Sequence, residues 1–225
     1  RLAEAEATLR AAVRLSPSTF RAHFRLGIAL ERQGKWEEAE RAFRAALRLK
    51  PAHALAHLRI GVVCRRQGKS TEEEAALRQA VRLAPFSPDA RHHLGLALCG
   101  QRRYAEAEVA LREAMRLHPR NPIIHDDIGA VLVARGELAA AVHAFETAVA
   151  LGGGLLRPRV HLAEALRRAR DGRRAAAAYT EALRIKPRDA RLHARLGAML
   201  LRLRRHADAA ATLSTSLGLD PGNAL

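Results

Sequence analysis

Aromatic side chains are scarce in this sequence: five Phe, two Tyr and one Trp make up 4% of 225 residues. Grooves that hold single-stranded nucleic acid stack successive bases on several rings. So few rings argue against that use, although the net charge of +16 would attract any polyanion. Cysteine is nearly absent as well. Cys64 and Cys99 show no CxxC spacing, which suggests neither a disulfide framework nor a cysteine zinc site and makes a reducing, cytoplasmic compartment the simpler expectation. No stretch of eighteen apolar residues exists, so nothing reads as a membrane span, and no basic-then-apolar leader is visible. Lysine is rare too: only Lys35, Lys50, Lys69 and Lys186 among 39 basic residues. The positive charge is therefore carried by arginine, whose planar fork bonds carboxylates and phosphates in pairs.

What the sequence does have is a repeat. The stretch from Phe20 to Pro51 returns in outline every 34 residues, with Gly27 recurring as Gly61, Gly95, Gly129 and Gly197 and Ala163 in the remaining slot. Leu or Ile precedes each of these positions. Twelve residues after them stand Ala39, Ala107, Ala141, Ala175 and Ala209, a column broken only by Glu73. Four further on come Phe43, Leu77, Leu111, Phe145, Tyr179 and Leu213, then Ala46, Ala80, Ala114, Ala148, Ala182 and Ser216. Pro51, Pro85, Pro119, Pro187 and Pro221 close the repeats, with Gly153 as the exception.

Within one repeat, apolar residues recur at three and four between Phe20 and Gln33 and again between Trp36 and Leu49, which predicts two amphipathic helices of about four turns each. Gly34 lies between them, where a tight or left-handed turn costs glycine least. The small residues at Gly27, Ala39 and Ala46 allow close helix approach. One such hairpin cannot cover its own apolar faces, so stacking on its neighbours must stabilise it. Acids gather early in the second helices (Glu37, Glu38, Glu40; Glu72, Glu73, Glu74) and bases late (Arg44, Arg48; Arg78, Arg82), an order that suits the helix dipole. Ser87-Pro88 and Asn121-Pro122 read as helix caps followed by proline in the first turn.

These columns resemble the tetratricopeptide repeat, whose period is 34 residues and whose marks are an aromatic, a Leu-Gly pair, Ala, an aromatic, Ala and a closing Pro. The resemblance covers essentially the whole chain. It implies an all-α fold, a right-handed superhelical solenoid of helix-turn-helix repeats at 20–53, 54–87, 88–121, 122–155, 156–189 (degenerate) and 190–223. Residues 1–19 read as the second helix of a truncated leading repeat, and the absent first helix and initiator Met suggest a piece of a longer polypeptide. Two columns depart from the family pattern. The early aromatic is His23, His57, Arg91, His125, Arg159 and His193, taken as a change of core packing, and the tyrosine after the glycine is Leu30, Cys64, Leu98, Leu132, Leu166 and Leu200. The fourth-to-fifth junction, Gly152-Gly153-Gly154, is a candidate bend. It lacks the Lys-Ser/Thr and the preceding strand of a phosphate-cradling loop, so no nucleotide site is expected there.

In the resembled family the second, fifth, sixth, ninth, twelfth and thirteenth residues of each repeat face a concave groove. Carried onto this chain, the sixth gives Arg25, Arg59, His93, Asp127, His161 and Arg195. The second adds Arg21 and Arg157, the fifth His92 and Asp126, and the twelfth and thirteenth Arg65 and Arg66. The lining is expected to be basic at both ends and acidic at Asp126 and Asp127. The ninth column, Ile28, Val62, Leu96, Ala130, Glu164 and Ala198, makes an apolar floor without asparagine. Phe24 and Ile28 stand where the chaperone carboxylate clamp carries Lys and Asn, so that ligand is not implied. His92, His93, His125, Asp126 and Asp127 are dense in ligand-type side chains but lack metal-site spacing, and no catalytic constellation is present. No metal, cofactor or catalytic residue is expected. The reading that follows is a non-enzymatic scaffold holding an acidic protein or peptide segment in its groove. The alternatives are the substrate-recruiting region of a larger enzyme, such as a glycosyltransferase or sulfotransferase, and electrostatic nucleic-acid binding. Homodimerisation through end helices is a further expectation.

Overall fold

The computed structural model describes residues 2–222. Arg1 and Asn223, the outer limits expected for the leading half repeat and the sixth repeat, lie outside the described residues. Among these there are thirteen α-helices and no strand: α1 Leu2–Leu15, α2 Phe20–Arg32, α3 Trp36–Leu49, α4 Ala54–Arg66, α5 Ser70–Leu83, α6 Pro88–Gly100, α7 Tyr104–Leu117, α8 Pro122–Ala134, α9 Leu138–Leu151, α10 Leu156–Arg168, α11 Gly172–Ile185, α12 Ala190–Arg202 and α13 His206–Leu219. Thirteen-residue first helices alternate with fourteen-residue second helices. Every start falls 34 residues after its counterpart. The chain divides into two compact parts, residues 1–118 and 119–225. Within each, first helices fold back on second helices, and in addition α4 touches α6 and α8 touches α10.

The glycine column is a packing requirement. A Cβ on Gly27 would lie 2.6 Å from the Phe43 ring, one on Gly61 2.5 Å from Leu77, and one on Gly129 2.5 Å from Phe145. These large residues are fully buried or nearly so, and the Leu and Cys column that replaces the family's tyrosine is buried with them. The turn after each first helix needs a left-handed residue. Gly34, Gly68 and Gly136 supply it at φ 74°, 74° and 83°, whereas Arg102, Arg170 and Arg204 adopt φ 62°, 63° and 58° at the same place. Gly172, two positions late in the sequence, instead opens α11.

The early-aromatic column does something other than fill the core. His23, His57, His125 and His193 are half-buried, and each donates from Nε2 to the carbonyl six residues earlier, on Pro17, Pro51, Pro119 and Pro187, at 2.8 to 2.9 Å. Arg91 donates likewise to Pro85 at 2.9 Å and Arg159 to Gly153 at 2.6 Å. The expected change of core packing is thus corrected. These side chains tie the turn before a first helix to that helix, and an arginine serves as well as a histidine because the turn asks only for a donor. Ser87 and Asn121 cap α6 and α8 as their sequence suggests, accepting from the amides of Ala90 and Ile123.

Second helices of the N-terminal part carry a buried glutamate in each repeat: Glu6, Glu40, Glu74 and Glu108. Glu6 accepts from Lys35 and Arg10, Glu40 from Lys69, Gln67 and Arg44, and Glu74 from Arg103, Gln101 and Arg78. Lys35, Lys69 and Arg103, each just before a second helix, therefore clasp the glutamate of the second helix before. Lys35 and Arg10 hold the Glu6 carboxyl down at about 2. The corresponding residues of the C-terminal part are apolar: Val142 and Ala176 are buried and Ala210 is exposed. Glu73, the exception in the alanine column, is also buried, and Arg65 donates to it at 2.5 Å.

The triple glycine lies within the C-terminal part. A Cβ on Gly152 would sit 2.9 Å from Pro122 and 2.7 Å from Leu155, while Gly153 and Gly154 face open space. Only the first of the three is demanded by packing.

Candidate functional site

In the N-terminal part the expected lining residues fall on α2, α4 and α6. Arg21 and Arg25 on α2 are exposed and hold no ion pair among the described residues. Arg59 on α4 is engaged: its Nη1 donates to Glu31 at 3.2 Å. Glu31 went unnoticed in the sequence, although it stands at the twelfth position where the next repeat carries Arg65. A sign reversal in a lining column was the available signal. Arg65 turns away from a ligand, donating to Glu73 and to the carbonyl of His93 at 2.9 Å. Arg66 is exposed with its guanidinium 5.9 Å from the centre of the Trp36 ring, a cation–π distance. Phe24 is stacked on Phe20, with centroids 5.6 Å apart, and packs against His53. Its ring is committed to the protein.

His92 and His93 pack ring to ring at 5.6 Å on α6. Burial pushes the His93 imidazole down to about 4, and the neighbouring Arg65, His92 and Arg59 push the same way against a smaller opposing effect of Asp89. His93 is therefore neutral at pH 7 and no cationic contact. Because its folded value lies below the ordinary one of 6.5, the unfolded chain takes up the proton first as pH falls. The stability at risk is present in full above about pH 6.5 and is lost between there and about pH 4, in the amount of about 2 to 3 kcal/mol. Denaturant unfolding at about pH 7 and about pH 4.5 should show a steeper loss for the wild type than for His93→Gln. Equal losses would contradict the neutral, half-buried assignment.

In the C-terminal part Asp126 and Asp127 on α8 are both buried, at 1% and 8% exposure. The expected acidic centre is instead an internal ion-pair cluster. Arg157, on α10, donates from Nε to Asp126 and from Nη2 to Asp127, and His161 shares a hydrogen bond with Asp126 through Nδ1 at 2.8 Å. The two carboxylates raise the affinity of Arg157 for its proton against the cost of its partial burial. Further along α10, Glu164 accepts from Arg167 and from the hydroxyl of Tyr179, the latter at 3.0 Å. These bonds hold its carboxyl down at about 2. Arg195 on α12 is exposed and holds no ion pair among the described residues. Among the described residues, no group of three or more His, Cys, Asp and Glu side chains is placed to hold a metal ion, and no helix is long and apolar enough to cross a membrane.

Such a series of helix pairs, with a glycine seated under a large residue in nearly every repeat, is the architecture of a helical-repeat scaffold. Residues 1–186 match the family model described as the C-terminal domain of cilia and flagella-associated protein 70, a tetratricopeptide-repeat model, and residues 160–224 match a tetratricopeptide repeat. The chain belongs to the tetratricopeptide-repeat family. Its fold is similar to that of pilF of Pseudomonas aeruginosa, with a TM-score of 0.78 and 23% identity over 91% of this chain and 93% of that one. The C-terminal part of a repeat-containing protein from Cytophaga hutchinsonii gives 0.78 at 15% identity, covering 99% and 92%. YrrB, described as having an unusual peptide-binding site, gives 0.68 at 18% identity, covering 81% and 94%. Comparison with curated proteins finds no match. The family's repeats build protein-interaction scaffolds and are generally non-catalytic.

Proposed function

We propose that this chain is an interaction scaffold whose first-helix face holds an acidic segment of a partner protein. The observation that carries this reading is the distribution of unspent charge. Asp126 and Asp127 share Arg157, Glu164 is paired with Arg167, and Glu31 with Arg59, whereas Arg21 and Arg25 are exposed and hold no ion pair among the described residues. What such a face offers a ligand is positive. The peptide-binding site named for YrrB is in keeping with a peptide as the ligand.

Arg21 and Arg25 are better probes than Arg59, because neither holds up its surroundings. Arg21→Glu combined with Arg25→Glu should weaken binding of a fluorescent acidic peptide by at least about tenfold, since each charge-assisted bond contributes about 1.5 to 3 kcal/mol. Fluorescence anisotropy measures the affinity, and circular dichroism should show unchanged helicity. An unaltered affinity would remove this reading.

A further inference from the structure

The ninth position of the first helix is Ile28, Val62 and Leu96 in the first three repeats and Ala130 in the fourth. Those three large side chains are half-buried, so they fill the surface they stand on, whereas Ala130 is exposed. Beside it, where a larger side chain would reach, lies an open cavity of about 150 Å³. Its walls come from three helices of the C-terminal part: Ala130 and Val133 of α8, Phe145 of α9, and His161 and Ala165 of α10, with Glu164 and Arg168 at the rim.

The polar groups of this cavity are largely occupied. His161 is held through Nδ1 by Asp126 and lies with its ring 5.5 Å from that of Phe145. Glu164 is held by Arg167 and Tyr179. Arg168 is about half exposed, and its Nε stands 3.6 Å from Glu164, too far for a good hydrogen bond. The hollow therefore presents methyl groups and an aromatic ring, with the Arg168 guanidinium, loosely paired with Glu164, at its edge. A hollow of this size has room for one aliphatic side chain.

We propose that this hollow is an anchor socket: it takes one leucine- or methionine-sized side chain of the acidic segment, and Arg168 binds a carboxylate next to that anchor. The occupant is argued from complementarity, an apolar guest for an apolar cavity and an anionic neighbour for the rim arginine. The proposal rests on the scaffold reading above and concerns the C-terminal part alone.

Ala130 lends itself to a test because its side chain is exposed and a larger one there fills the socket from outside, leaving the core alone. Two labelled acidic peptides, identical except for a central leucine or alanine, are titrated by anisotropy into the wild type, Ala130→Phe and the Arg21→Glu/Arg25→Glu protein. The wild type should prefer the leucine peptide by about 10- to 100-fold, the range that burial of one aliphatic side chain supplies. Ala130→Phe should bind both peptides with the weaker affinity and show no preference. Preference retained in Ala130→Phe, or absent from the wild type, overturns the socket while the groove reading stands. If neither peptide binds the wild type, the groove reading fails, and the Ala130 methyl resonance decides the socket by itself: a saturable shift with added benzene, abolished in Val133→Phe, keeps the apolar site, and no shift overturns it.

Discussion

Replacing Gly27 by leucine is expected to destabilise the protein by about 3 kcal/mol, the upper part of the range for overpacked cores. Two effects oppose each other at this position. Any residue other than proline gains helix propensity over glycine, up to about 1 kcal/mol for alanine. Against that, the Cβ alone would stand 2.6 Å from two ring carbons of Phe43, a ring with no exposed surface and no space to retreat into. Leucine adds three further carbons in the same direction, so overpacking wins. For a chain of this length each kcal/mol lowers the melting temperature by about 2 to 4 °C, which places the expected fall near 10 °C. Phe43→Ala in the same chain should recover part of the loss although it is destabilising alone, because the cavity it leaves receives the leucine. A melting temperature equal to that of the wild type would show that the glycine column is not a contact.

Arg157→Met should cost about 2 to 3 kcal/mol. The substitution keeps the aliphatic stem but removes the guanidinium that joins Asp126 to Asp127, and leaves Asp126, with 1% of its side chain exposed, dependent on His161 alone. Stranding a fully buried charge costs about 3 to 5 kcal/mol. The lower figure applies because the Arg157 side chain is 55% exposed and water can reach part of the space it vacates. Adding Asp126→Asn and Asp127→Asn should restore most of the stability, since the loss comes from the unpaired carboxylates and not from a missing attraction. Arg157→Lys should rescue only in part, because a point-charge donor cannot fork to two carboxylates. Denaturant unfolding of the set measures this, and equal stability of Arg157→Met and the wild type would contradict the buried cluster.

The fold was legible because its determinants are local and recur. A small residue two turns into the first helix meets a large one sixteen positions later, within one hairpin, and that pairing shows in the sequence six times. The turn glycines were legible for the same reason, but Arg102, Arg170 and Arg204 show that the left-handed conformation is set by the helices on either side and that glycine merely makes it easier. The roles of lining residues were harder to read. Arg25 and Arg59 share one column, yet Arg25 holds no ion pair among the described residues and Arg59 is bound to Glu31, a residue 28 positions before it. Asp126 and Asp127 read as an acidic surface because their partner, Arg157, was itself counted as a lining base. Charges that cancel across neighbouring helices depend on side-chain direction, which a column of residue types does not contain. The histidine column misled in another way: a position that is aromatic in the family pattern suggested packing, and the bond to the carbonyl six residues earlier became visible only with the turn in place.

The most direct measurement of the central claim is a competition, with the chain saturated by the labelled acidic peptide and challenged by an unlabelled copy or by a single-stranded oligonucleotide of equal charge, in rising salt. If the exposed arginines form a face for a peptide, the unlabelled peptide displaces the label at far lower concentration than the oligonucleotide, and its advantage persists at physiological ionic strength, where long-range attraction is screened beyond about 8 Å. Equal displacement by both polyanions, lost together as salt rises, would mean that the net charge of +16 binds without regard to the face that carries it, and would contradict the account.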